Sequence, residues 1–161
     1  MNMQNILHLA HDAFAKGQPI FIVPPFVDWN LPLFQRPQHI AAAMAELGAM
    51  VIYFSPSYMY DKGEEILQIR ENLYLCKKKD MFEAFLESGP PSFIDLYSTA
   101  WYFSTDAIAS WRARGHYVVY EYVDHIDEAI SGKQGADLSR QTFEWLSASG
   151  VDLVIPTANF L

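Results

Sequence analysis

Short, nearly continuous apolar runs alternate along this chain with stretches in which apolar residues recur every three or four positions. That alternation predicts an α/β fold with a buried, mostly parallel sheet and right-handed helical crossovers. After an amphipathic opening from Asn5 to Lys16, the run Pro19-Ile20-Phe21-Ile22-Val23-Pro24 is the first expected strand. Pro37 sits where a first-turn proline is tolerated, and Ile40, Met44 and Leu47 keep helical spacing up to the stop signal Gly48. Met50 to Phe54 and Leu73 to Cys76 are the next strands, followed by helical spacing at Met81, Phe82, Phe85 and Leu86 and a break at Gly89-Pro90-Pro91. Ser92 to Tyr97 predicts a strand, Thr105 to Arg114 a helix ended by Gly115, and His116 to Val123 another strand. Leu138 to Ala148 is helical, Gly150 stops it, and Val151 to Ile155 is the last expected strand. Six strands, near residues 20, 51, 74, 94, 119 and 153, thus make a Rossmann-like three-layer domain over residues 1–161. The alternation asks for one more helix at Ala158-Asn159-Phe160-Leu161, so the expectation is a truncated domain with further chain beyond it.

Composition narrows the function classes. The chain has 161 residues, 51% of them hydrophobic and 19% charged, which fits a globular domain with a core of its own. Its formal net charge is -8 and its basic residues are scattered apart from Lys77-Lys78-Lys79, which argues against a nucleic-acid partner. The single cysteine, Cys76, excludes an intramolecular disulfide and a multi-cysteine metal site, and it reads as a buried, inert thiol in a cytoplasmic protein. No apolar run reaches the roughly 18 residues of a membrane span, and no signal-peptide pattern opens the chain. His8 and His11 lie close together with no carboxylate or cysteine partner in view, so no metal site is expected.

In an open parallel sheet, ligands bind beyond the carboxyl ends of the strands. The segments there are Pro25-Phe26-Val27-Asp28-Trp29-Asn30, then Gln35-Arg36-Pro37-Gln38-His39 at a helix start, and Asp124-His125 after the fifth expected strand. Neither the glycine-rich dinucleotide turn nor a P-loop is present, which disfavours NAD and P-loop nucleotide binding. Arg36 and His39 in a first helical turn suit a phosphate-bearing ligand, while the plainer alternative is that Arg36 pairs with a nearby carboxylate and Pro37 starts the helix. Glu121 stands in an otherwise apolar strand and must be paired, with Arg36 or a tyrosine hydroxyl as candidate partners, or lie near the cleft.

Asp28-Trp29 followed by Gln35-Arg36-Pro37-Gln38-His39-Ile40-Ala41, with Ala43 through Gly48 and an apolar strand after it, resembles the opening of bacterial GT-B glycosyltransferases, group 1 or family 4-like, that act on cell-surface polysaccharides. Val119-Tyr120-Glu121-Tyr122-Val123-Asp124 and Val151-Asp152-Leu153-Val154-Ile155-Pro156-Thr157-Ala158 are similar to the same family's fifth strand and its apolar strand with a small polar turn. The chain departs from the family at Glu121, where an aspartate is usual, and at Ser57 to Arg70. The resemblance implies an amino-terminal domain that holds a carbohydrate or lipid-linked glycan acceptor. A nucleotide-sugar donor would be held by a carboxyl-terminal domain absent from these residues, and no cofactor is implied within them. It implies a cytoplasmic enzyme, with peripheral association at the inner face of the membrane compatible with that role.

In such a cleft Asp124 is the catalytic candidate, able to orient an acceptor hydroxyl or take its proton. Its alternative is an N-cap for a turn beginning at Ile126. Arg36, His39, Gln38, Trp29, Asp28, His125 and Glu121 are the candidate acceptor- or phosphate-binding residues. Trp29, Phe34, Trp101, Tyr102 and Phe103 either form a stacking surface for sugar or cover the sheet edge or face the absent second domain, and Ser57-Tyr58-Met59-Tyr60 is either an acceptor loop or a disordered excursion of the isolated domain. Two other classes compete with the transferase half: a stand-alone Rossmann- or flavodoxin-like binding module, and a domain kept for assembly alone.

Overall fold

A computed structural model of the chain describes residues 1–63, 65–78, 80–98, 100–123 and 128–156, apart from the side chains of Trp101, Ile130 and Ser149. It is an α/β fold of Rossmann type, with a seven-stranded, mostly parallel sheet flanked by helices. By internal packing the chain forms two units, residues 1–94 and 95–161.

The first unit opens with α1 (Met3–Ala15), whose start is capped by the Asn2 side chain accepting from Asn5 N at 2.9 Å. Next come β1 (Ile20–Val23), α2 (Arg36–Glu46) and β2 (Met50–Phe54). They are followed by β3 (Ile66–Arg70), β4 (Leu73–Cys76), α3 (Asp80–Ser88) and the start of β5 (Phe93–Leu96). Strand order is β3-β4-β2-β1-β5. β1 pairs in parallel with β2, Ile22 opposite Ile52, and with β5, Ile22 opposite Ile94. The runs 20–23 and 50–54 are buried throughout because helices cover both sheet faces. On one face α2 packs Ala41 and Ala45 against Phe21, Val23, Val51, Tyr53, Leu73 and Leu75. On the other, Phe54 meets Phe82 and Phe85 of α3 at ring-centroid distances of 5.4 and 5.9 Å, and α3 packs on α1. Gly48, at φ +93°, turns the chain from α2 towards β2 in a left-handed conformation that a side chain would resist.

β3 lies in the stretch 57–70 that the apolar pattern does not resolve. It is antiparallel to β4, carries a register shift between Gln68 and Arg70, and is exposed from Leu67 onward. An edge strand with one covered neighbour needs no continuous apolar run, which is why its pattern is faint.

The second unit completes β5 and adds a short 3-10 turn (Ala100–Tyr102), α4 (Thr105–Ala113), β6 (Tyr117–Tyr122), α5 (Glu128–Trp145), a π-turn (Leu146–Gly150) and β7 (Leu153–Pro156). Ser104 caps α4 by accepting from Ala107 N at 3.2 Å. α5 starts ten residues before the periodic stretch at Leu138 and is broken at Gly132, φ +73°. β6 and β7 pair in parallel, Val119 opposite Leu153 and Glu121 opposite Ile155. The approach to β7 is fixed by Asp152: its carboxylate takes Arg112 Nη2 at 2.8 Å, Arg112 Nε at 3.1 Å and Val118 N at 2.8 Å. No described helix is long and apolar enough to cross a membrane.

Candidate functional site

Two loops leave the carboxyl ends of adjacent parallel strands in the first unit, 24–35 after β1 and 55–65 after β2, and two buried aspartates tie them together. The Asp28 carboxylate, on the first loop, accepts from four donors on the second. Ser55 Oγ and Tyr58 N reach one oxygen at 2.9 and 3.0 Å, and Met59 N and Tyr60 N reach the other, both at 2.7 Å. Asp61 returns the arrangement from the second loop, accepting from Trp29 N, from Asn30 N at 3.1 Å and from Asn30 Nδ2 at 2.6 Å. Each loop thus supplies the anion for the other's backbone amides, a concave cluster of N–H groups that favours negative charge.

Burial by itself pushes the Asp28 carboxyl upward, but hydrogen bonds from Met59, Tyr60, Tyr58 and Ser55 outweigh it and hold the group below the ordinary aspartate value of 3.8. Ser57, at φ +57°, donates its Oγ to the Lys77 carbonyl and its N–H to Ser55 Oγ, so the turn is held at both ends.

The start of α2 is closed in the same way. Gln38, fully buried, accepts from Gln35 N at 2.6 Å and donates to the carbonyls of Asp28 and Trp29 at 3.1 and 3.2 Å, within a capping box formed with Gln35. Pro37 has no N–H and His39 N donates to the Gln35 carbonyl at 3.3 Å. Little of the amide cluster that draws phosphate to a helix start is therefore open here. Arg36 is half-buried and engaged by its surroundings, while His39 is exposed with its ring edge-on to Phe34 at 5.8 Å.

Trp29 is buried at 4% exposure in the core beneath α2, edge-on to Tyr53 at 5.2 Å and to Phe34 at 5.1 Å. The structure therefore brings Asp28, Trp29 and Gln38 together, with the Asp28 carboxylate and the Gln38 amide bonded to backbone groups and Trp29 packed in the core, and sets His39 at the surface beside them. Of their large apolar side chains, these two loops present Tyr58, Met59 and Tyr60 at one tip to solvent, and Leu33 and Phe34 in the companion loop. Asp61 and Ser55, which complete the clamp, carry no motif in the sequence. Their signal is only a polar residue in a loop following a strand.

In the second unit Glu121 and Asp95 are both buried at 3% exposure, on β6 and β5. Ser98 Oγ donates to the Glu121 carbonyl at 3.2 Å and accepts from Val123 N at 2.7 Å, fixing the end of β6. Asp124 and His125, the expected catalytic and neighbouring residues, lie outside the described residues. Trp101's side chain is likewise outside them, Tyr102 is exposed, and Phe103 sits edge-on to buried Trp111 at 5.1 Å. The Tyr120 hydroxyl is buried without a hydrogen-bond partner among the described residues, and burial pushes it upward, aided by Tyr122. An open hollow of about 450 Å³ runs along α5 past Lys133, Asp137 and Gln141, and it includes none of the residues singled out from the sequence.

His8 pairs with Asp12 at 3.4 Å on the surface, and His11 Nε2 lies 2.9 Å from the Ser88 carbonyl. Among the described residues no group of three or more metal-ligating side chains converges. Cys76 is buried, and desolvation pushes its thiol up to about 11.

Comparison of the chain with protein-family models, with curated proteins and with solved structures returns no match.

Proposed function

We propose that this chain is the acceptor-side part of a GT-B-like glycosyltransferase, which moves a sugar from a nucleotide-sugar donor to a glycan or lipid-linked acceptor in surface polysaccharide synthesis. The observation that carries the proposal is the run Gln35-Arg36-Pro37-Gln38-His39, which opens α2 at the carboxyl end of β1 in a Rossmann-like sheet. Function is argued from this segment and not from the fold, since Rossmann-like sheets host many unrelated activities.

The clamped loops support an acceptor role over a nucleotide role. The clusters of backbone N–H groups that would hold phosphates are occupied by Asp28 and by the Gln35–Gln38 capping box. A neutral acceptor does not need those amides. In this proposal His39 and Arg36 serve acceptor binding in the first unit, where Asp28, Trp29 and Gln38 hold the loops in shape, and Asp124 is the catalytic group, with Glu121 and His125 as further binding residues of the second unit. The nucleotide-sugar donor is held by a second domain.

The test is sugar transfer. A panel of nucleotide sugars and glycan acceptors is offered to the product of the complete gene and, in parallel, to the 161-residue chain. Transfer by the complete product, none by the chain alone, and loss of transfer in Asp124→Asn are expected. Transfer by the 161-residue chain alone would overturn the division of labour.

A further inference from the structure

The tip of the 55–65 loop places three large side chains in water in succession: Tyr58 is 73% exposed, Met59 64% and Tyr60 45%. Large apolar side chains are ordinarily withdrawn from solvent, and a run of them at a loop tip marks a contact surface. Mobility is not the explanation here. The backbone N–H groups of these same three residues are the ones bound by the buried Asp28 carboxylate, and the turn before them is held by Ser57 donating to the Lys77 carbonyl. The rings are therefore presented on a fixed backbone, which lowers the ordering cost of binding.

We infer that Tyr58, Met59 and Tyr60 form a preorganised stacking platform for the pyranose rings of a neutral oligosaccharide. The inference deepens the acceptor role proposed above and rests on it for the choice of ligand.

Three observations select that ligand class. First, the backbone amides of the loop face inward to Asp28, so the exposed surface offers ring faces, a thioether and two phenol hydroxyls. That combination matches a sugar ring with its C–H face and peripheral hydroxyls better than an anion. Second, the cations at the loop are few: Lys62 lies within it, and Lys77, which lies against it, is paired through Nζ with Glu65 at 3.2 Å, in a chain of net charge -8. A loop that docks on an anionic bilayer needs several basic residues near it, so charge favours an uncharged partner. Third, the companion loop, locked to this one through Asp61 bonding Asn30, also exposes an apolar residue, Leu33, and carries no Lys or Arg between Pro24 and Gln35.

The experiment is binding, read by chemical-shift perturbation on the isotope-labelled 161-residue chain. The probes are cellohexaose, maltohexaose, mannohexaose and chitohexaose, with inorganic phosphate beside them. At least one hexaose is expected to shift the amides of Tyr58 to Tyr60 in a saturable way, and phosphate to leave them unmoved. Tyr58→Ala and Tyr60→Ala are each expected to weaken that binding about tenfold, equivalent to about 1.4 kcal/mol. Both side chains are exposed, so these variants fold. Tyr58→Phe keeps the ring and is expected to stay within about threefold of the unaltered chain, about 0.7 kcal/mol.

The inference is overturned if no hexaose perturbs the loop, if the alanine variants bind as well as the unaltered chain, or if phosphate is what shifts the loop amides. It is equally overturned if the chain sediments with phosphatidylcholine vesicles and Tyr58→Ala abolishes that, since the occupant would then be a bilayer. No transfer reaction enters the measurement. Binding without transfer by the complete gene product leaves the platform standing and removes the transferase, and the converse removes only the platform.

Discussion

Asp28→Asn is the substitution that most directly probes how the loops are held. It preserves the size of the side chain and removes its charge. One carboxylate oxygen serves Ser55 Oγ and Tyr58 N, and the other serves Met59 N and Tyr60 N. An asparagine places its NH2 on one side or the other. Facing Met59 and Tyr60, it opposes two N–H donors, each now bonded at 2.7 Å. Facing Ser55 and Tyr58, it lets the serine hydroxyl turn round and accept, which leaves only Tyr58 N opposed. The second orientation wins, so the variant loses charge assistance on the two short bonds and strands one donor. A hydrogen bond to a charged group contributes about 1.5–3 kcal/mol against about 1 kcal/mol for a neutral one, and a stranded donor costs about 1–3 kcal/mol. Because the three terms share one site and do not add fully, the expected destabilisation at pH 7 is about 2–4 kcal/mol. That is a large fraction of the roughly 5–15 kcal/mol typical of a folded domain.

Titration gives the same substitution a second, independent signature. The folded-state value of Asp28 lies below the ordinary 3.8 that applies to the unfolded chain. The unfolded state therefore binds the proton first as pH falls, and the stability contributed by the carboxylate is fully present above about pH 4 and lost as pH drops through the folded value. The amide that replaces the carboxylate does not titrate. The stability gap between the two proteins, measured by urea unfolding from pH 7 to pH 3, should hold steady down to about pH 4.5 and shrink below it. A gap under about 1 kcal/mol at neutral pH would refute the clamp, and a gap independent of pH would refute its ionic character.

Asp61→Ala should cost about 2–4 kcal/mol through Trp29 N and the two Asn30 donors, and the double variant with Asp28→Asn should fall short of the sum by at least about 1 kcal/mol in a urea-unfolding cycle, because both remove the same loop contact. Tyr120→Phe should leave stability unchanged or raise it by up to about 1–2 kcal/mol in the same assay, since it deletes a buried hydroxyl that has no partner among the described residues. Cys76 should resist iodoacetamide in the folded chain at pH 8 and react only in denaturant, because its thiol is buried and raised to about 11. Fast labelling of the native protein would show the site to be open.

The elements that the pattern located cleanly are those buried on two faces. Met50 to Phe54 and Leu73 to Cys76 are strands over the expected residues, and Pro37 and Gly48 bracket α2 as a first-turn proline and a terminal glycine do. β3 escaped because Leu67, Gln68, Ile69 and Arg70 are all exposed on an edge, where burial imposes no pattern. α5 was read too short because its first half, through Ser131-Gly132-Lys133-Gln134-Gly135, is polar and glycine-containing, and the helix is in fact interrupted at Gly132 within it.

The loops after the strands show a different limit. From sequence, Asp28, Gln38 and Trp29 look like ligand-facing chemistry, because polar and aromatic residues beyond a parallel strand usually are. What decides their direction is which backbone amides lie within reach, and that depends on Asp61 and Tyr58 to Tyr60, some thirty residues away on a loop whose strand β3 gave no signal. Charge turned inward on amides and rings turned outward to water are two consequences of one arrangement. A carboxylate can occupy the nest only if the residues supplying the amides point their own side chains away from it. The rings of Tyr58 and Tyr60 are thus exposed because Asp28 is buried, and a substitution that frees the nest should alter what the loop presents to a ligand before it alters the sheet beneath.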